Sequence, residues 1–396
     1  MSNSDNNINN TFSKSDFADI APYDDSQFHD RLLALTREPG FEHAVRYVMP
    51  GVDFDKFRQN LLGVKSQREF QEKIMGDFLV NLESLTTDGI SYDGIENVTP
   101  DGKYTFISNH RDIVLDGSFL NPRLIRARHP LAQVAIGHNL LIYAWATDLV
   151  KLNRSFIVKR DVKRLEALNA ARKLSAYIHY TIRQLGESVW IAQREGRAKD
   201  SNDLTQESLI KMLAIAGEGD VKQRLLEVNL LPVSISYEYD PNDYLKVKEY
   251  LLRRRNPDFK KCQHDDLLSM ETGLLGRKGR VHFHFGKCVN QELAGIADDG
   301  ERGTMTRAAC RVIDRTIHAG YRLFPGNLIA YDILERSDRF AGQYTADDLD
   351  RFKEYVHGQL QKVNVPDITN DEQVFMYETL LSMYANPVRN YLATQG

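Results

Sequence analysis

Residues 105–116, TFISNHRDIVLD, hold a histidine and two carboxylates at a spacing that could build a positioned general base. A short apolar run ends in Asn109-His110, and Asp112 and Asp116 follow close behind. A carboxylate on Nδ1 orients the imidazole and leaves Nε2 to take a proton near neutral pH. Asp116 suits that role. Asp112 is a rival partner, whose other use is to cap the helix opened by Ile113-Val114-Leu115. His110-Arg111-Asp112 also has the form of a protein-kinase catalytic loop. That loop needs an Asn five residues after its Asp, where this chain has Gly117. No Gly-rich loop precedes the block and no Asp-Phe-Gly follows it, so kinase chemistry is excluded.

Two more apolar runs end in charged groups. Residues 156–160, FIVKR, finish in Lys159-Arg160, and residues 191–200, IAQREGRAKD, carry Glu195, Gly196, Arg197 and Lys199. In an open α/β sheet the carboxyl ends of strands face the ligand crevice. Arg197 can grip a phosphate through two parallel hydrogen bonds, and a lysine adds a point charge. Lys159, Arg160, Arg197 and Lys199 could thus converge on one dianion, with Gly196 allowing close backbone approach. The plainer reading is of solvated surface charges and a turn whose ions pair locally.

The elements that must position these groups alternate. Strand candidates lie at 104–108, 133–136, 155–158, 188–192, 230–236 and 280–285. Between them, 161–185 is the clearest helix, with Leu165, Leu168, Ala171, Leu174, Ile178 and Ile182 at three- and four-residue steps and Gly186 at its end. Such alternation predicts an α/β sheet covered on both faces. Residues 22 to about 90 read as helical, and so does 346–392. The domain reading is a disordered polar tail over 1–20, a helical subdomain over 21–95 and an α/β domain over 96–396 with a helical C-terminal segment.

Composition narrows the function classes. The 396 residues carry a net charge of −4, which argues against a general nucleic-acid binder. Cys262, Cys288 and Cys310 show no Cys-x-x-Cys spacing, so reduced thiols are expected, with neither a zinc site nor a disulfide frame. The first residues lack the pattern of a signal peptide, and no window is long and apolar enough to span a bilayer. The expected location is cytoplasmic.

Taken in order, ISNHRDIVLD, FIVKRD, IAQREGRAKD and LLPVSISYE resemble the four blocks of the glycerophospholipid acyltransferases. The nearest likeness is to the soluble, plastid-type glycerol-3-phosphate acyltransferases. It covers residues 100–240 well and the helical N-terminus loosely. The family's first block has four residues between His and Asp; here there are five, which a one-residue bulge after His110 would absorb. The resemblance implies a mixed central sheet flanked by helices, after an N-terminal helical subdomain. It implies transfer of an acyl group from acyl-CoA or acyl-ACP to glycerol-3-phosphate or its 1-acyl derivative, with no cofactor. His110 would be the base and Asp116 its orienting acid. Lys159, Arg160, Arg197 and Lys199 would hold the phosphate, Glu195 and Gly196 would shape the acceptor pocket, and Pro232 would fix the fourth block. A lipid product adds peripheral contact with the inner face of an anionic membrane, for which Arg123, Arg126, Arg128 and Arg253–Arg255 are the basic clusters. Those clusters read equally as solvated helix faces. The alternatives are a non-catalytic lipid- or carrier-binding protein on the same scaffold, and a thioesterase.

Overall fold

Seven strands form one mixed sheet in the order β1-β7-β6-β2-β5-β3-β4. A computed structural model describes residues 12–159, 164–297, 301 and 303–396. The strands are β1 (Thr87–Asp93), β2 (Thr105–Ser108), β3 (Ala132–Gly137), β4 (Ser155–Val158), β5 (Ser188–Ala192), β6 (Leu230–Tyr237) and β7 (Gly279–Phe285). Strands β6, β2, β5, β3 and β4 are mutually parallel; β7 runs antiparallel to β6, and β1 runs parallel to β7. The carboxyl ends of the five parallel strands therefore share one edge of the sheet.

Alternation along these strands fills a core on each face. Ile107, Phe156 and Ile191 pack to one side with Tyr177, Ile178, Ile313 and Ile317 from flanking helices. Phe106, Trp190, Val233 and Phe283 pack to the other, against Leu115, Phe119 and Leu120 of the helix Leu115–Arg126. Burying such a side chain contributes about 1.5–3 kcal/mol, so the sheet is held from both sides. A third cluster joins the N-terminal helices through Phe28, Leu32, Phe41, Phe54, Leu61 and Phe70. A fourth unites the helices Asp243–Arg255, Pro325–Glu335, Ala346–Gln361 and Asn370–Ala393.

The expected helix over 161–185 is present as an α-helix over Arg164–Tyr180 that runs into a π-helical turn, Thr181–Leu185; Gly186 closes it at φ +65°. Residues 161–163 of that expectation lie outside the described residues.

Two expectations need correction. The helical reading of residues up to 90 runs over β1, where TDGISYD offers only Ile90 and Tyr92 as large apolar residues. The strand lies at the sheet edge beside β7, so it needs little apolar surface. The N-terminal tail was expected to stay free through residue 20. Phe17 and Ile20 are buried in the core, and Ile20 O accepts a hydrogen bond from Ile157 N of β4. A segment with two core side chains and a strand contact is part of the fold.

Candidate active site

Strand β2 ends at Ser108, and the chain then folds back over Asp116 in the first turn of the helix Leu115–Arg126. Asp116 Oδ2 lies 2.9 Å from His110 Nδ1 and also accepts hydrogen bonds from Arg111 N (2.6 Å) and Asp112 N (3.0 Å). Tyr237 OH donates to the other oxygen at 3.3 Å. An oxygen that takes two backbone N–H bonds is an acceptor, so the imidazole donates from Nδ1 and Nε2 keeps its lone pair. Burial, aided by the charge of Asp116, pushes the Tyr237 phenol well above its usual range, which keeps it a donor.

Asp112 has the other role. Its Oδ1 accepts from Val114 N (2.9 Å) and Leu115 N (2.8 Å), so it caps the helix. Burial, with the charge of Asp116 next, raises its pKa. Gly117 follows because nothing larger fits: a Cβ there would stand 2.6 Å from Val134 Cγ1 and 2.9 Å from Trp190 Cε3. That contact seats the helix on β3 and β5, and the Trp190 ring lies edge-on to His110 at 6.0 Å between centroids.

Sequence reasoning missed the group that pins this loop. Asp203, fully buried, accepts from Arg111 Nη2 (2.7 Å), Tyr321 OH (2.6 Å) and Asn109 Nδ2 (3.4 Å). Asn109 also bridges to the backbone of Ile235 on β6, through Nδ2 to its carbonyl and Oδ1 from its N–H. Both residues flanking His110 are thus anchored. An Asp ninety-three positions downstream gives no local signal of this.

His110 opens onto a cavity of about 360 Å³ lined also by Lys159, Trp190, Arg194 and Glu195. A second, apolar cavity of about 400 Å³ lies between the N-terminal helices and the sheet, walled by Phe41, Val45, Phe57, Phe78 and Trp145 among others. Ile113, Ile136 and Leu140 line both.

Lys159, Arg197 and Lys199, the described members of the expected phosphate cluster, do not line one cavity. Lys159 lines the His110 cavity, but its ammonium is 2.6 Å from Asp19 Oδ2, while Lys173 holds Asp19 Oδ1 at 2.6 Å. Arg160 lies outside the described residues. The turn after β5 passes through Gly196 at φ +69°, a left-handed conformation that a Cβ would strain, with nothing within 4 Å of where that Cβ would sit. Gly196 therefore serves the turn. Beyond it, Arg197 and Lys199 leave the cavity lining. The charge of Arg197 acts on Asp112, Asp240 and Lys246. Lys199 pairs with Glu249 of the helix Asp243–Arg255, which also holds Arg253 and Lys261. Carboxylates distant in the chain capture Lys159 and Lys199.

The basic clusters are also partly consumed. Arg123 is fully buried against Glu83, and Arg253, Arg254 and Arg255 pair with Glu249, Asp371 and Glu372; Arg126 and Arg128 are exposed. The Asp19 clamp is half-exposed, so Asp19→Ala is expected to cost no more than about 1 kcal/mol of stability. A denaturant titration showing a loss of several kcal/mol would make the clamp a structural keystone instead.

No group of three or more metal-ligating side chains is found among the described residues, and no described helix is long and apolar enough to cross a membrane. No protein-family model matches the chain, and no curated protein matches it. Among solved structures it is similar to the 1-acyl-sn-glycerophosphate (LPA) acyltransferase PlsC from Thermotoga maritima. The identity is 14% and the TM-score 0.36, over 72% of this chain and 96% of that one. At that TM-score the likeness adds no weight to the geometry.

Proposed function

We propose that the protein transfers a fatty acyl group from a thioester donor, acyl-CoA or acyl carrier protein, to the hydroxyl of glycerol-3-phosphate or its 1-acyl derivative. One observation carries the reading: a histidine oriented by Asp116 opens onto a cavity of mixed polar and apolar lining that shares Ile113, Ile136 and Leu140 with an apolar one. The cavity at His110 takes the acceptor and the apolar cavity takes the acyl chain. A volume of about 400 Å³ falls within the usual range of small-molecule sites.

In the reaction His110 Nε2 removes the acceptor's hydroxyl proton as that oxygen bonds to the thioester carbonyl carbon. The C–S bond then breaks, and the thiolate leaves with the proton returned by His110. The acceptor attacks directly, so no protein nucleophile is required. General-base help supplies about 10²–10⁴-fold. Holding the acceptor against the base lowers the barrier further, by making the attack effectively unimolecular. A lipid product places the protein at the inner membrane surface as a peripheral protein.

Thiol release from palmitoyl-CoA, followed with and without glycerol-3-phosphate, tests the reading. Acyl transfer requires release that depends on the acceptor. Release without acceptor would make the protein a thioesterase, and no release in either case would leave a lipid- or carrier-binding protein. The acyl site has its own test. Val45→Trp fills part of the apolar cavity and should shift preference toward shorter chains, at about 0.8 kcal/mol per methylene excluded. An unaltered chain-length profile from C8 to C18 would remove the acyl chain from that cavity.

A further inference from the structure

The helix Asn370–Ala393 buries one stripe, Met376, Leu380, Met383 and Tyr384, in the C-terminal core. The next stripe around it, Val374, Tyr377, Glu378 and Leu381 at three- and four-residue steps, borders a surface groove of about 410 Å³. Ile333 and Leu334, near the end of the helix Pro325–Glu335, line the same groove. Val374 is 56% exposed and Tyr377 37%, so an apolar ridge stands in water beside an apolar groove. Single exposed apolar side chains are ordinary on a surface. A ridge and a groove side by side are what a molecule needs to fit a copy of itself.

The charges at the groove decide what it meets. On the same helices Arg254 pairs with Asp371, Arg255 with Glu372 and Arg389 with Glu335. Arg336 and Glu378 line the groove, are exposed, and make no ion pair among the described residues. They carry one charge of each sign. An acidic partner would oppose Glu378 and a basic one would oppose Arg336, and a neutral partner would cover both without pairing them, which costs free energy. A second copy of this chain matches both. In a two-fold contact each copy presents the same patch, so Arg336 of one meets Glu378 of the other, twice. We infer that this groove is a homodimer interface, in which Val374 and Tyr377 of each copy enter the groove of the other and Arg336 pairs with Glu378 across the two-fold axis. Tyr377 suits an anchor there, since aromatic residues are enriched at the centres of such contacts. The interface shares no residue with the His110 cavity, so the inference stands apart from the acyl-transfer reading.

Sedimentation velocity on the full chain tests this, with the variants Arg336→Glu and Glu378→Arg, each checked by a thermal melt. The wild type should sediment as a dimer at concentrations up to about 100 μM. Each single reversal sets like charges against each other at both contacts, so its dissociation constant should rise at least tenfold. Mixed in equal amounts, the two variants should recover the dimer, because one carries two carboxylates in the patch and the other two guanidinium groups. That recovery is specific to a two-fold pairing of these residues. Val374→Ser removes part of the ridge without touching a charge; it should weaken the dimer in the same direction, and it replaces the reversals should either one lower the melting temperature. A wild type that stays monomeric over the whole concentration range overturns the inference. So does a dimer that neither reversal nor Val374→Ser weakens, and so does a mixture of the two reversals that stays monomeric beside a dimeric wild type.

Discussion

Replacing His110 by Ala is expected to lower acyl transfer by about 10²–10⁴-fold, or about 3–5 kcal/mol of transition-state stabilisation, and to leave the fold intact. The fold should survive because the loop is held by its neighbours. Asn109 is fixed to β6 and Arg111 to Asp203, whereas the described contacts of the ring are Asp116 and the edge-on Trp190. His110→Gln keeps more of the side-chain volume and a hydrogen bond to Asp116, yet has no basic nitrogen, so it should be as inactive as Ala. The check is thiol release beside a thermal melt. A variant that melts like wild type and retains a tenth of its turnover would take His110 out of the reaction.

Asp116→Asn is expected to cost about 10²–10⁴-fold in kcat, whereas Asp112→Asn should stay within about threefold of wild type. The asymmetry follows from what each carboxylate does. Asp116 accepts from the imidazole, from two backbone N–H groups and from Tyr237 OH, so its loss of charge weakens four hydrogen bonds. An amide there can also turn its NH₂ toward Nδ1, which would put the imidazole proton on Nε2, the wrong nitrogen for a base. Asp112 accepts from the N–H groups of Val114 and Leu115, and Asn caps a helix about as well as Asp. Steady-state kinetics on the two variants decides between them. Equal losses would show that the loop works as a single charged unit and that Asp116 holds no special relation to His110.

How far the fold could be read depended on where each element lies. Strands β2 to β7 were visible as apolar runs because each is buried on one or both faces, and Ser155–Val158 and Ser188–Ala192 have the bounds expected from sequence. β1 was not visible, because an edge strand can carry Asp88, Gly89 and Ser91 without cost to a core. The C-terminal helices have strong apolar periodicity, yet their shared core joins Val247 to Phe352 and Leu380, across intervals that no local pattern spans.

The site divides along the same line. His110 and Asp116 are six residues apart in one strand-to-helix turn, so their pairing could be anticipated from spacing. Charge pairing between distant segments could not. Lys159 meets Asp19, Arg111 meets Asp203 and Lys199 meets Glu249, each across 50 residues or more. Reading cations as a convergent cluster assumed they had no carboxylates of their own.

The most direct test of the central claim is chemical modification of the imidazole. Diethyl pyrocarbonate attacks an accessible, unprotonated histidine nitrogen, and mass spectrometry can assign the adduct among the 11 histidines of the chain. The account predicts that His110 is modified, that turnover falls in step with its modification, and that glycerol-3-phosphate slows the reaction at His110 specifically. Modification of His110 that leaves turnover intact, or that proceeds at the same rate under saturating glycerol-3-phosphate, would contradict it.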